Sequence, residues 1–186
     1  MGDRRIKYSK MVLKESLLKL MTDKPINKIT IKEICELADV NRGTFYAHYN
    51  DQYDLLRQIQ DEFADEVKEL KEKKETKVMS SVEMITELVS YFGEQRSLCK
   101  IIFNTTGDYE LINKLMDNAY VSFLDEWRQK LKNVSETQME MLYMFISNGS
   151  AAIIRHWVLG DMEETPKEVA KFIMQVSNYG SNSFVK

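Results

Sequence analysis

What narrows the fold of this chain most is how little it is interrupted. Two prolines and seven glycines are all that 186 residues offer to break an element. Between them, apolar residues recur with the period of about 3.6 that marks one face of a helix, and no stretch alternates as a half-buried strand would. The pattern predicts an all-α protein of about nine helices.

Helix starts can be read from their caps. Ile6, Leu13, Leu17 and Leu20 stripe a first helix ending near Met21. Thr30 and Glu33 have the spacing of a capping box, in which threonine caps forward and glutamate reaches back, and Ile31, Ile34, Cys35 and Ala38 follow on one face. Asp39-Val40 breaks the pattern, Asn41 caps a short third helix expected from Arg42 to about Tyr49, and Val40 can staple onto Phe45. Asp51 opens a fourth helix with Leu56, Ile59, Phe63, Val67 and Leu70 on its stripe. Further starts stand at Ser80-Glu83, Ser135-Gln138 and Thr165-Glu168, the last with proline at its first helical position. They open helices striped by Val82, Ile85, Leu88 and Phe92, an apolar helix running to Leu159, and a last helix striped by Val169, Phe172, Ile173 and Val176. Between the first two, Ile112, Met116, Ala119, Phe123 and Trp127 stripe another helix.

Charge divides the chain where the helix lengths do. Residues 1–50 hold ten Lys/Arg against six Asp/Glu, and the remainder holds 16 against 23. A basic head on an acidic body points to an anion-binding N-terminal surface, most simply nucleic acid. Catalysis is not expected. His48 and His156 are the only histidines, with no nucleophile set, glycine-rich phosphate loop or metal-ligand spacing beside them, so neither cofactor nor metal is implied. Cys35 and Cys99 lie far apart in apolar surroundings and read as buried thiols of a reducing compartment. The basic N-terminus lacks the apolar run of a secretory signal, and no run is long enough to span a membrane, so a cytoplasmic protein is expected.

A short helix, a tight turn and a second short helix with outward polar and aromatic residues make a helix-turn-helix. Its second helix must enter a groove about 12 Å wide. Arg42 and Thr44 near its start can reach base edges and phosphates, and Gly43 lets the backbone come close. Tyr46, His48 and Tyr49 suit the groove rim, each with a flat body and a hydrogen-bonding tip. Phe45 should face inward. For Tyr49, one turn after Phe45, core and contact are both open.

The run "TIKEICELADVNRGTFYAHYNDQYDLL" resembles the signature of the TetR (tetracycline-repressor) family of bacterial regulators. The resemblance covers about residues 8–56 and rests on the Thr30 box, Ile34, Ala38, Val40, "GTFY" at 43–46 and Leu55-Leu56. It implies a three-helix head over 1–52, a connecting fourth helix over 52–75, and an all-α sensing and dimerisation domain over 76–186. It also implies a sequence-specific regulator, by family default a repressor, binding a palindromic double-stranded operator as a homodimer and modulated by an effector. By the same resemblance Thr44 and Tyr46 grip phosphate, Arg42, Gly43 and His48 touch bases or nearby backbone, and Thr30 with Lys32 adds a phosphate anchor. Two residues depart from the pattern: Asp39 replaces the usual turn glycine, and Gln52 replaces a lysine that meets phosphate.

The dimer is expected to form through helices 136–159 and 166–178, the first carrying the small-residue run "SNGSAA". Residues 80–131 should enclose whatever signal is sensed, a small apolar effector being one candidate, with Tyr91, Phe92, Phe103, Met116, Tyr120, Phe123 and Trp127 as candidate walls and Asn148 or His156 as polar fixers. The run "AAIIRHWVLGDMEETPKEVAKFI" is similar to a TetR subgroup of low-GC Gram-positive bacteria, some of whose members take their signal from a protein co-regulator. The rival reading is an all-α interaction protein with no small-molecule ligand.

Overall fold

A computed structural model describes residues 2–75, 81–104 and 134–182. Among the described residues there are eight α-helices and no strand. They form two compact units, the first built around Met1–Phe63 and the second beginning at Ala64. The Ile112–Trp127 helix and the Ser80 cap lie outside the described residues, as do the effector candidates Met116, Tyr120, Phe123 and Trp127.

In the first unit α1 (Gly2–Asp23) packs on α2 (Ile31–Ala38), which packs on α3 (Arg42–Tyr46). A single 3-10 turn, Ile26–Lys28, follows Pro25 and delivers Ile26 and Ile29 to the core. Leu13, Leu17, Ile34, Phe45 and Leu55 have no exposed surface, so the interior is assembled from every helix of the head. Ile6 does not join them: with Tyr8 and Met11 it stands exposed, while Ser9 of the same turns is buried.

The caps explain where these short helices begin and end. Thr30 Oγ1 accepts from Glu33 N–H at 3.3 Å, and Glu33 Oε2 accepts from Thr30 N–H at 2.9 Å. Asp39 closes α2 at φ 53 and ψ 45, the left-handed conformation that favours glycine but that aspartate tolerates. The turn is then fixed by Val40 N–H donating to Cys35 O at 3.0 Å. Asn41 Oδ1 accepts from Thr44 N–H at 2.8 Å and starts α3. That helix ends at Tyr46, three residues before the expected Tyr49, and Ala47-His48 form a turn. In α4 (Gln52–Glu75), Asp51 Oδ1 accepts from Asp54 N–H at 2.7 Å.

The second unit contains α5 (Ser81–Glu94), α6 (Arg96–Asn104), α7 (Glu136–Leu159) and α8 (Pro166–Asn182). The last two begin with the expected reciprocal boxes at Ser135-Gln138 and Thr165-Glu168. α5 packs along α8, and α7 packs on both. Where α7 ends, the Trp157 indole N–H donates to Glu164 O at 2.9 Å and Arg96 Nε donates to Val158 O at 3.2 Å. The Trp157 ring lies close over Gly93: an added Cβ there would be 3.0 Å from the ring and 3.1 Å from Met162 Cε, so any larger residue would require these neighbours to shift. On α8 the expected stripe splits. Val169 and Ile173 are buried, whereas Phe172 and Val176 are exposed on the adjoining face.

Candidate nucleic-acid interface

The expected DNA-facing residues all belong to the first unit, and exposure sorts them. Tyr46 is 58% exposed and Phe45, its neighbour, is fully buried, with the two rings edge-to-face at 5.7 Å. Arg42, Gly43 and Lys32 are exposed, whereas Thr44, His48 and Gln52 are partly so. Tyr49 is 2% exposed, and its ring lies 5.6 Å from that of Phe45 at a tilt of 53°. This burial removes Tyr49 from the contact set, because a ring one turn after Phe45 follows it into the core.

The Tyr49 hydroxyl has no hydrogen-bond partner among the described residues. Burial, then the carboxylates Glu62 and Asp54, pushes its ionisation up to about 12, so it stays neutral. A buried hydroxyl without a partner forfeits its hydration for nothing in return. Tyr49→Phe is therefore expected to stabilise the head by about 1 kcal/mol; a urea denaturation midpoint at or below that of the parent would contradict it.

Several polar groups of this surface are already engaged. The Thr44 hydroxyl donates to Asn41 Oδ1 at 3.1 Å, so it must turn away from its cap to grip a phosphate. The Thr30 hydroxyl donates to Glu33 at 2.9 Å. Lys32 pairs with Glu36 at 3.6 Å, both largely exposed, a contact of little energetic weight. Gly43 has a reason of its own beyond any ligand, since an added Cβ would lie 3.1 Å from the capping oxygen of Asn41. Tyr53, which the sequence reading passed over, stands 45% exposed in the first turn of α4 beside Gln52. Only its place next to Gln52 could have marked it.

Glu33 holds the start of α2 together electrostatically. A hydrogen bond from Lys24, then those from Thr30, brings its carboxyl down from 4.5 to about 2. A lowered value means that the ionised form stabilises the fold above the ordinary carboxylate range, and that this contribution is lost as pH falls toward 2. Glu33→Gln should flatten the stability profile of the head between pH 4.5 and 2, measured by acid titration of circular dichroism. An unchanged slope would show that Glu33 is not the responsible group.

The described effector candidates separate within the second unit. Phe92 is buried and lies 6.3 Å from the half-buried Phe103, with Tyr91 alongside. The Tyr91 hydroxyl donates to Glu66 of α4, and burial followed by that carboxylate raises its ionisation. Asn148 and His156 are not with them: both are exposed, about half a helical turn from the buried Met139, Tyr143 and Ile154 of α7. The period of an almost uniformly apolar helix did not say which side faces inward.

Two family models match this chain. Residues 15–59 match "Bacterial regulatory proteins, tetR family", and residues 79–179, more than half of the chain, match "Transcriptional regulator C-terminal region" of the TetR type. The chain belongs to the TetR family of bacterial transcriptional regulators. It is similar to the regulator AcrR of Shigella flexneri, 24% identical over 157 residues that cover 78% of this chain and 73% of AcrR. It also matches the uncharacterised regulator YxbF of Bacillus subtilis, 43% identical over 47 residues, though these span 25% of this chain and only 12% of YxbF. Among solved structures, a TetR regulator from Streptococcus agalactiae superposes with a TM-score of 0.69 at 17% identity, covering 95% of this chain and 97% of that one. FadR of Bacillus subtilis, solved with stearoyl-CoA, gives 0.69 at 14% identity over 90% and 96% of the respective chains. TetR-family regulators bind DNA and act as dimers, and this chain is accordingly a DNA-binding transcriptional regulator. No described helix is long and apolar enough to cross a membrane.

Proposed function

We propose that this TetR-family protein is a repressor that binds an inverted-repeat operator as a homodimer and is modulated by an effector held in residues 76–186. The observation that carries the DNA reading is the division of α3: Phe45 is fully buried while Arg42 and Tyr46 on the same single turn are exposed. That arrangement pins a helix too short to stand alone and offers its outer side to a groove. Arg42, Gly43 and His48 would meet bases or nearby backbone, with Thr44 and Tyr46 on phosphate. Thr30, Lys32 and Gln52 would flank them, Gln52 through a neutral amide that releases no counterion.

Two such heads must be about 34 Å apart, or somewhat more, to read successive major grooves, which calls for a symmetric pair. The dimer surface proposed is that of α7 and α8, where Met141, Met144, Phe145, Phe172 and Val176 are all exposed. Large exposed apolar residues on two helices that pack together suit an association surface. For the effector, Phe92, Phe103 and Tyr91 are the described residues best placed in the second unit. The stearoyl-CoA of FadR, on a shared fold at 14% identity, is compatible with a small, largely apolar molecule here.

Fluorescence anisotropy against a library of inverted-repeat duplexes tests the reading. Tight, salt-sensitive binding to a subset is expected, and an absence of salt-sensitive binding to any member would favour a protein-interaction role. Tyr46→Phe is expected to weaken specific binding by about tenfold, one charge-assisted hydrogen bond, while the melting temperature stays put. Equal affinity would remove Tyr46 from the phosphate contacts.

A further inference from the structure

We propose that Asn41 is a further contact to the operator, its side-chain amide donating to a backbone phosphate at the rim of the groove. The proposal rests on the reading of α3 as the helix that faces DNA, and it adds a residue assigned so far only as a cap. What the side chain holds fixes its orientation. Asn41 Oδ1 accepts from the Thr44 N–H at 2.8 Å and from the Thr44 hydroxyl at 3.1 Å. A nitrogen in that place would set donor against donor, so the oxygen points inward and the NH2 outward.

This orientation survives DNA binding. If Thr44 turns its hydroxyl to a phosphate of its own, its backbone N–H still holds the Asn41 oxygen in place. Gly43 leaves the room for it, since a Cβ there would lie 3.1 Å from the same oxygen. What faces outward is a neutral group that can only donate, on an exposed residue beside the exposed Arg42.

A donor needs an acceptor, and DNA offers two kinds, base edges and phosphate oxygens. Base edges lie on the floor of a groove about 8.5 Å deep. The Asn41 side chain is short and is folded back onto its own helix, so its nitrogen stays near the level of the backbone. Phosphates line the rim at that level, and they are the acceptor it can meet. Because α3 is a single turn, the contact is a side-chain hydrogen bond and owes nothing to a helix dipole. The residue type agrees. Aspartate caps a helix as well as asparagine does, and the nearby N–H groups would favour its charge. It would also set that charge where the phosphate is to come, whereas asparagine keeps the cap and supplies a donor.

The experiment is fluorescence anisotropy of the full chain on the operator selected from the inverted-repeat library, with circular dichroism melts beside it. Asn41→Ser keeps an equally good cap, so the melting temperature should match the parent's while operator affinity falls about fivefold, one neutral hydrogen bond. No charge is removed, so the salt dependence should keep the parent's slope. Asn41→Asp has the same shape with the donor replaced by a negative acceptor, and it should lose about tenfold or more. Single methylphosphonates placed along the operator then locate the contact: at one position the parent should lose affinity and Asn41→Ser should not. Parent-like affinity in Asn41→Ser, or losses that simply add at every methylphosphonate, overturns the contact. So does a loss that depends on one base pair of the operator, which would make Asn41 a reader of bases. Should Asn41→Ser melt lower than the parent, Asn41→Asp carries the test, and tight binding by it overturns the proposal. If the parent itself shows no salt-sensitive binding to any duplex, what fails is the DNA reading beneath it.

Discussion

Phe45→Ala is expected to destabilise the DNA-binding head by ~3–5 kcal/mol, the cost of deleting a fully buried aromatic ring. The effect should be at the upper end because α3 has so little else to hold it. The helix runs only from Arg42 to Tyr46, far below the length at which an isolated helix is stable, and Phe45 is its one buried side chain. Its ring is also the surface against which Tyr46 and Tyr49 pack, at 5.7 and 5.6 Å, so its loss loosens the turn on both sides. Both tryptophans, Trp127 and Trp157, lie late in the chain, so tryptophan fluorescence would not report on the head. Amide hydrogen exchange over residues 30–56 is the direct measurement, with faster exchange there and unchanged protection in α8 as the expected result. Parent-like protection across 30–56 would mean that α3 is anchored by something other than Phe45. Operator affinity should fall in parallel, since the exposed groups of α3 hold their positions only while the ring is seated.

What the sequence made legible follows from how far apart the cooperating residues are. Caps depend on partners three residues away, and those at Thr30, Asn41, Asp51, Ser135 and Thr165 could all be placed before any fold was known. The turn at Asp39 was legible for the same reason, as a residue type that tolerates the left-handed conformation. Phe45 could be assigned inward because its staple partner Val40 is close in sequence.

Tyr49 could not be assigned. Its side depends on what the rest of the head offers as a wall, which no local pattern states, and its hydroxyl makes either side chemically reasonable. Phe172 and Val176 could not be told apart from Val169 and Ile173 for a related reason: a helix stripe about 100° wide includes all four, and only the neighbours decide which edge is covered within the subunit. On α7 the ambiguity was complete, because a helix apolar on nearly every side has no direction to read. Asn148 and His156 were set inward as effector contacts, and they stand instead on the outer side. The DNA-contact set rests on family resemblance together with exposure; for those residues the sequence supplied the candidates and the fold removed one, Tyr49.

Trp157→Ala should cost the second unit ~3–5 kcal/mol, comparable to Phe45→Ala in the first. The side chain is 5% exposed and does three things at once. It fills the space that Gly93 leaves open, with the ring 3.0 Å from the Cβ position and Met162 Cε beside it at 3.1 Å. It donates its indole N–H to Glu164 O, fastening the connection between α7 and α8. And it lies beside Val158, whose carbonyl Arg96 holds from α6, so the loss is felt where three helices meet. Trp157→Phe separates volume from hydrogen bonding: it retains much of the ring and loses the N–H, and about 1–2 kcal/mol is expected. Far-UV circular dichroism during urea denaturation measures both, since the fluorophore itself is removed. If Trp157→Ala stays within about 1 kcal/mol of the parent, the junction has room to close and the fit around Gly93 is looser than its geometry implies. On the proposed α7–α8 dimer face, a slack C-terminal end of α7 should weaken self-association as a second effect. That weakening should disappear at temperatures low enough for the Trp157→Ala subunit to be fully folded.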